Sequence, residues 1–300
     1  MAEPSLLART LAPLRLLLPA RFRCDIPVVP VVRLVGVIGI STPLKPGLTL
    51  ANVARGLERA FALPNIKAVA LAINSPGGSA VQSHLIHRRI RALAEENEVP
   101  VIAFVEDVAA SGGYMIACAA DEIVCDPSSI VGSIGVVGGS FGFDKLLARI
   151  GVDRRLYTSG ERKAMLDPFL PEKPEDVERL KAIQHEIHEG FIALVKARRG
   201  DKLDSRETAL FSGEYWTGRR GRELGLVDAV GDLRGVLRER YGDKLRMPLV
   251  AERGLFGRRT PGVGRGVGRG ELGSLLSGPT LAEDLVATLE ARALWARYGL

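Results

Sequence analysis

The sequence predicts an α/β fold in which parallel strands alternate with helices. Near-continuous apolar runs of strand length recur along the chain, and amphipathic segments of helix length lie between them. The composition, 46% hydrophobic and 25% charged over 300 residues, is that of a globular protein with ample material for a core. It excludes a disordered chain, and the charge is too high for a membrane bundle.

The predicted elements follow one another from residue 28 onward. Apolar runs predict buried strands at residues 31–40, 68–73, 101–105 and 122–125. Helical spacing predicts helices at residues 50–62, 79–96, 174–199 and 281–298. The third of these begins at Pro174 with two acidic residues in its first turn and ends at Gly200, which are typical helix boundaries.

Composition divides the chain into a single compact domain and two extensions that we expect to be flexible. Residues 1–27 form an N-terminal amphipathic extension, residues 28–249 the domain, and residues 250–300 a Gly/Arg-rich linker with a terminal helix. Pro13, Arg15 and Pro19 interrupt the apolar stretch near the N-terminus, so no signal peptide or transmembrane helix is predicted. We expect a cytoplasmic protein, with peripheral contact at the inner membrane as the alternative.

Charge, cysteines and motifs predict neither nucleic acid nor a cofactor as a partner. The formal charge of +6 is spread along the chain, and aromatic residues make up only 5%. Cys24, Cys118 and Cys125 have no metal-ligand spacing, and no nucleotide-binding loop occurs. The spacing of His185 and His188 is i, i+3 rather than the i, i+4 of zinc proteases, so no metal is predicted.

Two glycine-containing turns each follow a predicted strand. The turn 74–79 reads Asn-Ser-Pro-Gly-Gly-Ser, and the turn 109–114 reads Ala-Ala-Ser-Gly-Gly-Tyr. Because ligands of parallel α/β proteins bind beyond the carboxyl ends of strands, two such turns are expected to line one crevice. Glycine allows close approach of the backbone, and amides at a helix start are free to donate.

Ser111 lies at the start of the second helix, beside such amides. A serine there has what acyl transfer needs, a nucleophile next to an oxyanion hole. The alternative is that Ser111 only caps its helix and that the glycines only turn the chain.

A serine nucleophile needs a base, and histidine does not supply an obvious one. None of the four histidines lies between residues 88 and 184, and all four are predicted to face solvent on charged helices. Lysine is the alternative base where apolar surroundings favour the neutral amine. Lys163 is followed by Ala164, Met165 and Leu166, which could cover it; otherwise it is an ordinary surface lysine.

At this point four ordered motifs resemble the bacterial signal peptide peptidase A and protease IV family. They are the turns 73–79 and 110–114, Gly-Ser-Ile-Gly-Val at 132–136, and Ser-Gly-Glu-Arg-Lys at 159–163. The resemblance covers residues 31–233 and implies a ClpP/crotonase-like spiral of β-β-α units. The first turn is shared with ClpP, but the histidine that ClpP needs after its serine is absent.

The resemblance implies a serine-lysine dyad and assigns its parts. Ser111 is then the nucleophile, Lys163 the general base, and Ser133 the residue that orients the lysine amine. Gly78 and Gly112 donate the oxyanion-hole amides, with Gly77 beside them in the substrate-binding turn. This agrees with the reading of the two turns from the residues alone.

The resemblance also implies a ring of subunits, expected here to be an octamer, with the dyad completed between neighbouring subunits. The function it implies is ATP-independent serine endopeptidase activity on extended, largely apolar peptides such as signal-peptide remnants. Two alternatives from other classes remain: an inactive scaffold with the same fold, and an acyl-thioester enzyme that uses the same oxyanion geometry.

Overall fold

The computed structural model of the protein describes residues 26–40, 47–204, 206–250 and 278–300. The predicted N-terminal extension, apart from its last two residues, and the Gly/Arg-rich stretch 251–277 lie outside the described residues. Within the described ranges, no helix has both the length and the apolarity to cross a membrane.

A parallel sheet in the order β1-β2-β3-β4-β7 forms the centre of the fold. The strands are β1 (Val31–Val35), β2 (Val69–Ser75), β3 (Val101–Ala110), β4 (Glu122–Cys125), β5 (Ile130–Gly132), β6 (Tyr215–Thr217) and β7 (Ala229–Val230). β2 is buried along almost its whole length, which is why its sequence is continuously apolar rather than alternating. The predicted α/β class is confirmed.

Helices cover both faces of the sheet. They are α1 (Leu50–Phe61), α2 (Ala80–Asn97), α3 (Gly112–Ala117), α4 (Asp144–Arg149), α5 (Pro174–Arg199), α6 (Gly218–Glu223), α7 (Leu233–Tyr241) and α8 (Gly278–Ala296). On one face the larger core cluster includes Leu57 of α1, Ile86 of α2 and Phe191 of α5. On the other face Leu237 of α7 belongs to a smaller cluster with strand residues. This layering agrees with a ClpP/crotonase-like arrangement.

β3 is shared between two partners, and this sharing positions the site. Its first half pairs with β4, whereas Val108–Ala110 pair with β5. β5 in turn pairs antiparallel with β6, so that Gly132 lies opposite Tyr215. The residues that directly follow β3 and β5 therefore lie side by side.

Two strand ends differ from the prediction. β1 ends at Val35 because Gly36 has φ +111°, which turns the chain away from the sheet. β3 continues to Ala110 through two charged residues that suggest a strand end in the sequence. Glu106 accepts a hydrogen bond from Arg33 at 2.7 Å, and Asp107 accepts one from Asn74 at 2.5 Å. Each charge is thus satisfied by a side chain from another strand of the sheet.

Residues 136–170 form an arm outside the core. The arm contains α4, and no residue of this helix is buried. Phe143 stacks on Phe169 with ring centroids 5.5 Å apart, and Arg154 forms an ion pair with Asp167 at 2.6 Å. The remaining large apolar side chains of the arm include several exposed ones: Val137, Phe141, Leu146, Ile150, Val152, Leu156 and Tyr157. Contacts within the arm therefore stabilise it, while several of its apolar side chains are exposed to solvent.

Candidate active site

The turn after β2 is built from glycines that no other residue could replace easily. Gly77 has φ +102° and Gly78 has φ +139°, both outside the region that side chains favour. A Cβ atom on Gly78 would overlap the carbonyl oxygen of Ile38, so the two backbones run in contact. The turn is held there because the amide of Ile38 donates to the Gly77 carbonyl at 2.8 Å.

Ser111 lies at the end of β3 and immediately before α3, in a strained conformation. Its φ of +51° with ψ −121° is rare for any residue with a side chain. Its hydroxyl makes no capping hydrogen bond to the helix, which does not support the reading of Ser111 as a cap alone. Its backbone amide donates to the Gly132 carbonyl at 2.8 Å. The side chain is therefore held at the strand end without being used by the fold.

The two glycine turns meet, as the sequence predicts. A methyl group on Gly77 would come within 2.9 Å of the Ser111 Cβ and 3.1 Å of the Gly112 nitrogen. The first turn thus contacts Ser111 and the amide of Gly112 through Gly77. Gly112 is the first residue of α3, where a helix leaves its amides without acceptors of its own.

Ser133 follows β5 and is fixed beside Ser111. Gly132, which accepts the Ser111 amide, is its neighbour in the chain. Ser133 has φ +53°, and its own amide donates to the Glu214 carbonyl at 2.7 Å. The hydroxyl accepts a hydrogen bond from Tyr298, 3.2 Å away. Nothing in the sequence links this tyrosine to the site.

Lys163, the predicted general base, is exposed to solvent. It lies exposed in a turn of the arm, where its amide donates to the Gly160 carbonyl at 3.2 Å. Among the hydrogen bonds of the described residues, none joins Lys163 to Ser111 or Ser133. Of the predicted site, contacts within the chain join Ser111, Ser133 and the glycine turns, whereas no hydrogen bond of the described residues joins the predicted base to them.

Two histidines differ from the solvent-facing prediction. His87 is 8% exposed, and neither ring nitrogen has a hydrogen-bond partner within the described part of the chain. Burial, together with the charge of Arg198, lowers the pKa of His87 to about 4. His188 is half-buried, and its Nε2 donates to the Ile134 carbonyl at 3.0 Å, since a carbonyl can only accept. His188 therefore supports the segment after Ser133 from α5.

The described residues contain no cluster of histidine, cysteine or acidic side chains that could hold a metal ion. Cys118 and Cys125 are buried thiols, and burial raises their pKa values to about 12 and about 11. Both thiols are therefore unreactive near neutral pH.

Comparison with known proteins finds sequence similarity to peptidases. The profile of peptidase family S49 matches residues 94–243. A putative protease of Methanocaldococcus jannaschii is 31% identical over 221 residues, which are 71% of this chain and 70% of that protein. A mutant of the 1510-N membrane-bound stomatin-specific protease has a TM-score of 0.44 and 18% identity, covering 72% of this chain and 84% of that one.

A relative from Brucella abortus bears a different name. It is called a Na(+)/H(+) antiporter NhaA, and it is 55% identical over 289 residues. The match takes in 96% of this chain but only 39% of the Brucella protein. This chain thus spans about two fifths of that relative.

The matches indicate the class of protein, because both the family model and the Methanocaldococcus relative carry the name of a peptidase or protease. More narrowly, the chain belongs to peptidase family S49, the family of signal peptide peptidase A. The resemblance noted from the four motifs is thereby confirmed.

Proposed function

We propose that the protein is a serine endopeptidase whose nucleophile is Ser111 and whose general base is Lys163 of a neighbouring copy. The observation that carries the proposal is the strained Ser111 at the junction of the two glycine turns, with its hydroxyl unused by the helix. Strain of this kind persists where function requires it. Gly78 and Gly112 would donate to the oxyanion, and Gly77 would keep the turn close enough for them to do so.

The reaction proceeds in two displacements. The Ser111 oxygen attacks the scissile carbonyl while the neutral amine of Lys163 takes the hydroxyl proton, and the carbonyl electrons move to the oxygen between the two amides. The C–N bond then breaks, and the lysine returns the proton to the leaving amine. Water attacks the resulting ester in the same way, which releases the acid product and restores Ser111. No ATP enters these steps.

A second copy is proposed to supply the lysine because the arm that carries Lys163 is exposed and apolar. Phe141 is 78% exposed and Tyr157 is 89% exposed, whereas side chains of this type are usually covered in a working assembly. Packing the arm on a neighbour would bury these residues and deliver Lys163 to the neighbour's Ser111. A head-to-tail contact of this kind generates a closed ring, for which an octamer is our proposal.

Extended, largely apolar peptides such as signal-peptide remnants are the proposed substrates. Small residues near the site, including Ala109, Ala110 and Gly138, would favour a shallow apolar specificity pocket. The backbone near Gly138 and Gly139 is exposed and can pair with an extended chain.

The test is the substitution Ser111→Ala. Loss of the nucleophile should lower hydrolysis of a fluorogenic apolar peptide, measured without ATP, by about a thousandfold or more. The exposed Ser128 provides the matched control, and Ser128→Ala should keep full activity. A fluorophosphonate should label the wild type and not the Ser111→Ala variant.

Two other results would replace this proposal. Turnover retained by Ser111→Ala would mean that another group attacks the substrate. Absence of both peptide hydrolysis and labelling in the assembled wild type would favour the inactive scaffold, and coenzyme A binding would favour the acyl-thioester enzyme.

For the location of the enzyme, the Brucella relative suggests a membrane. We propose that the peptidase works at a membrane surface, close to an antiporter, because a protein with that name contains a stretch similar to nearly all of this chain. Fractionation of cells should then find the peptidase with the membranes; recovery in the soluble fraction alone would contradict the proposal.

A further inference from the structure

The end of the chain contacts the predicted site through Tyr298, which follows α8. The hydroxyl of Tyr298 donates to the Ser133 oxygen at 3.2 Å. Its ring meets the Tyr215 ring edge-on, with centroids 5.0 Å apart, and the Tyr215 hydroxyl donates to the Arg297 carbonyl at 3.2 Å. Two independent contacts thus hold this tyrosine on the β5–β6 pair.

The same strand pair carries Ser133 and Tyr215. Tyr215 of β6 lies opposite Gly132, the residue before Ser133. The Ser133 backbone is fixed by its hydrogen bond to Glu214, next to Tyr215. What the backbone does not fix is the serine hydroxyl, which has one hydrogen and two lone pairs and rotates freely unless a partner orients it.

We propose that Tyr298 is a positioning residue that orients the Ser133 hydroxyl toward the lysine amine. This inference rests on the proposed function, in which Ser133 holds that amine. The phenol O–H occupies one lone pair of Ser133, which leaves the second lone pair to accept an N–H of Lys163. The amine is then turned so that its own lone pair faces the Ser111 hydroxyl. Tyr298 touches neither substrate nor reacting atoms and acts through Ser133.

Two other roles for the contact have different consequences. A purely structural contact would fasten α8 to the body and affect stability alone. A blocking contact would occupy the position that the amine of Lys163 needs, so that removing the Tyr298 hydroxyl would raise activity. A positioning contact instead requires that loss of the hydroxyl lowers turnover and leaves substrate binding unchanged.

The experiment uses the full-length assembled protein and the variant Tyr298→Phe, which keeps the ring packed on Tyr215. We expect kcat to fall about three- to tenfold, the loss typical of one neutral hydrogen bond, with KM and the melting temperature unchanged. Tyr241, which packs against the smaller core cluster, provides the matched control, and Tyr241→Phe should keep the wild-type kcat.

A double-mutant cycle with Ser133→Ala separates action through Ser133 from any other effect. If Tyr298 acts through Ser133, adding Tyr298→Phe to Ser133→Ala should lower kcat no further. Unchanged or increased kcat in the single variant, or full additivity in the cycle, would overturn the inference. A Ser111→Ala variant that keeps its activity would instead refute the proposed function, so the two failures are distinguishable.

Discussion

Ser111 has a positive φ and makes no side-chain capping hydrogen bond, so it is not an ordinary helix cap. A serine at positive φ costs about 1–3 kcal/mol, which the surrounding contacts have to offset. These contacts are the hydrogen bond that the Ser111 amide donates to the Gly132 carbonyl and the close approach of Gly77. The sequence shows which residues lie in these turns, but only the structure shows that one of them is strained.

His87 makes the folded protein sensitive to acid. Its ring on α2 is buried, and this burial, together with the charges of Arg198, His84 and Arg91, lowers its pKa to about 4. The unfolded chain takes up a proton near pH 6.5, whereas the folded chain does so only near pH 4. Stability is therefore lost as the pH falls through this window.

The free energy of unfolding should be about 2 kcal/mol lower at pH 5 than at pH 7 because of His87. The variant His87→Leu should not show this contribution to the pH dependence. Urea unfolding of both proteins at the two pH values, at one protein concentration, measures the difference. The exposed His185 provides the control, because it does not interact with His87 and His185→Leu should keep the acid sensitivity of the wild type. An identical acid response of wild type and His87→Leu would contradict the assignment.

At the scale of elements, Arg199 fastens the end of α5 to the sheet. Its side chain is 3% exposed and donates to Asp228 at 2.7 Å and to the Gly225 carbonyl at 2.7 and 2.9 Å. Asp228 also accepts from Lys202 and from the Ile123 amide of β4. Burial alone would raise the pKa of Asp228, but hydrogen bonds from Arg199 and Lys202 outweigh it and lower the pKa.

The variant Arg199→Leu should lower the free energy of unfolding by about 3 kcal/mol, because it leaves a partly buried carboxylate and a carbonyl without their main donor. Chemical denaturation measures the change. Arg206, an exposed arginine paired with Asp204, provides the control, and Arg206→Leu should have no measurable effect. Equal stabilities for the two variants would show that the buried pair adds nothing.

How far the sequence predicts each element depends on whether its signals are local. The predicted bounds 122–125 and 174–199 agree with β4 and α5, since charge, proline and glycine mark their ends. β3 runs beyond its predicted end because Glu106 finds its partner on another strand. The meeting of the two glycine turns follows from parallel strand order, but the contact of Tyr298 with Ser133 joins distant parts of the chain and carries no local signal.

At the scale of the whole molecule, the proposal that a neighbouring copy supplies Lys163 means that one chain would hold only part of the site. The arm reaches outward with the lysine, while the serines stay at the sheet edge. A neighbour in a head-to-tail ring would complete each site.

Co-expression of Ser111→Ala with Lys163→Ala tests this arrangement, because each variant lacks what the other retains. Each alone should be inactive, whereas rings mixed at random should regain about a quarter of wild-type activity, since one neighbouring pair in four combines the intact serine with the intact lysine. Lys145→Ala, which removes another exposed lysine of the same arm, should stay active. No recovery in isolated mixed rings would mean that both groups act within one chain.

The exposed position of Lys163 also has a consequence for newly synthesised chains. If the proposed dyad forms between subunits, a newly made chain that has not yet assembled would lack the base that activates its serine and would be unable to hydrolyse peptides. Hydrolytic power would then rise more steeply than in proportion to the amount of protein, and dilution would switch it off without any inhibitor.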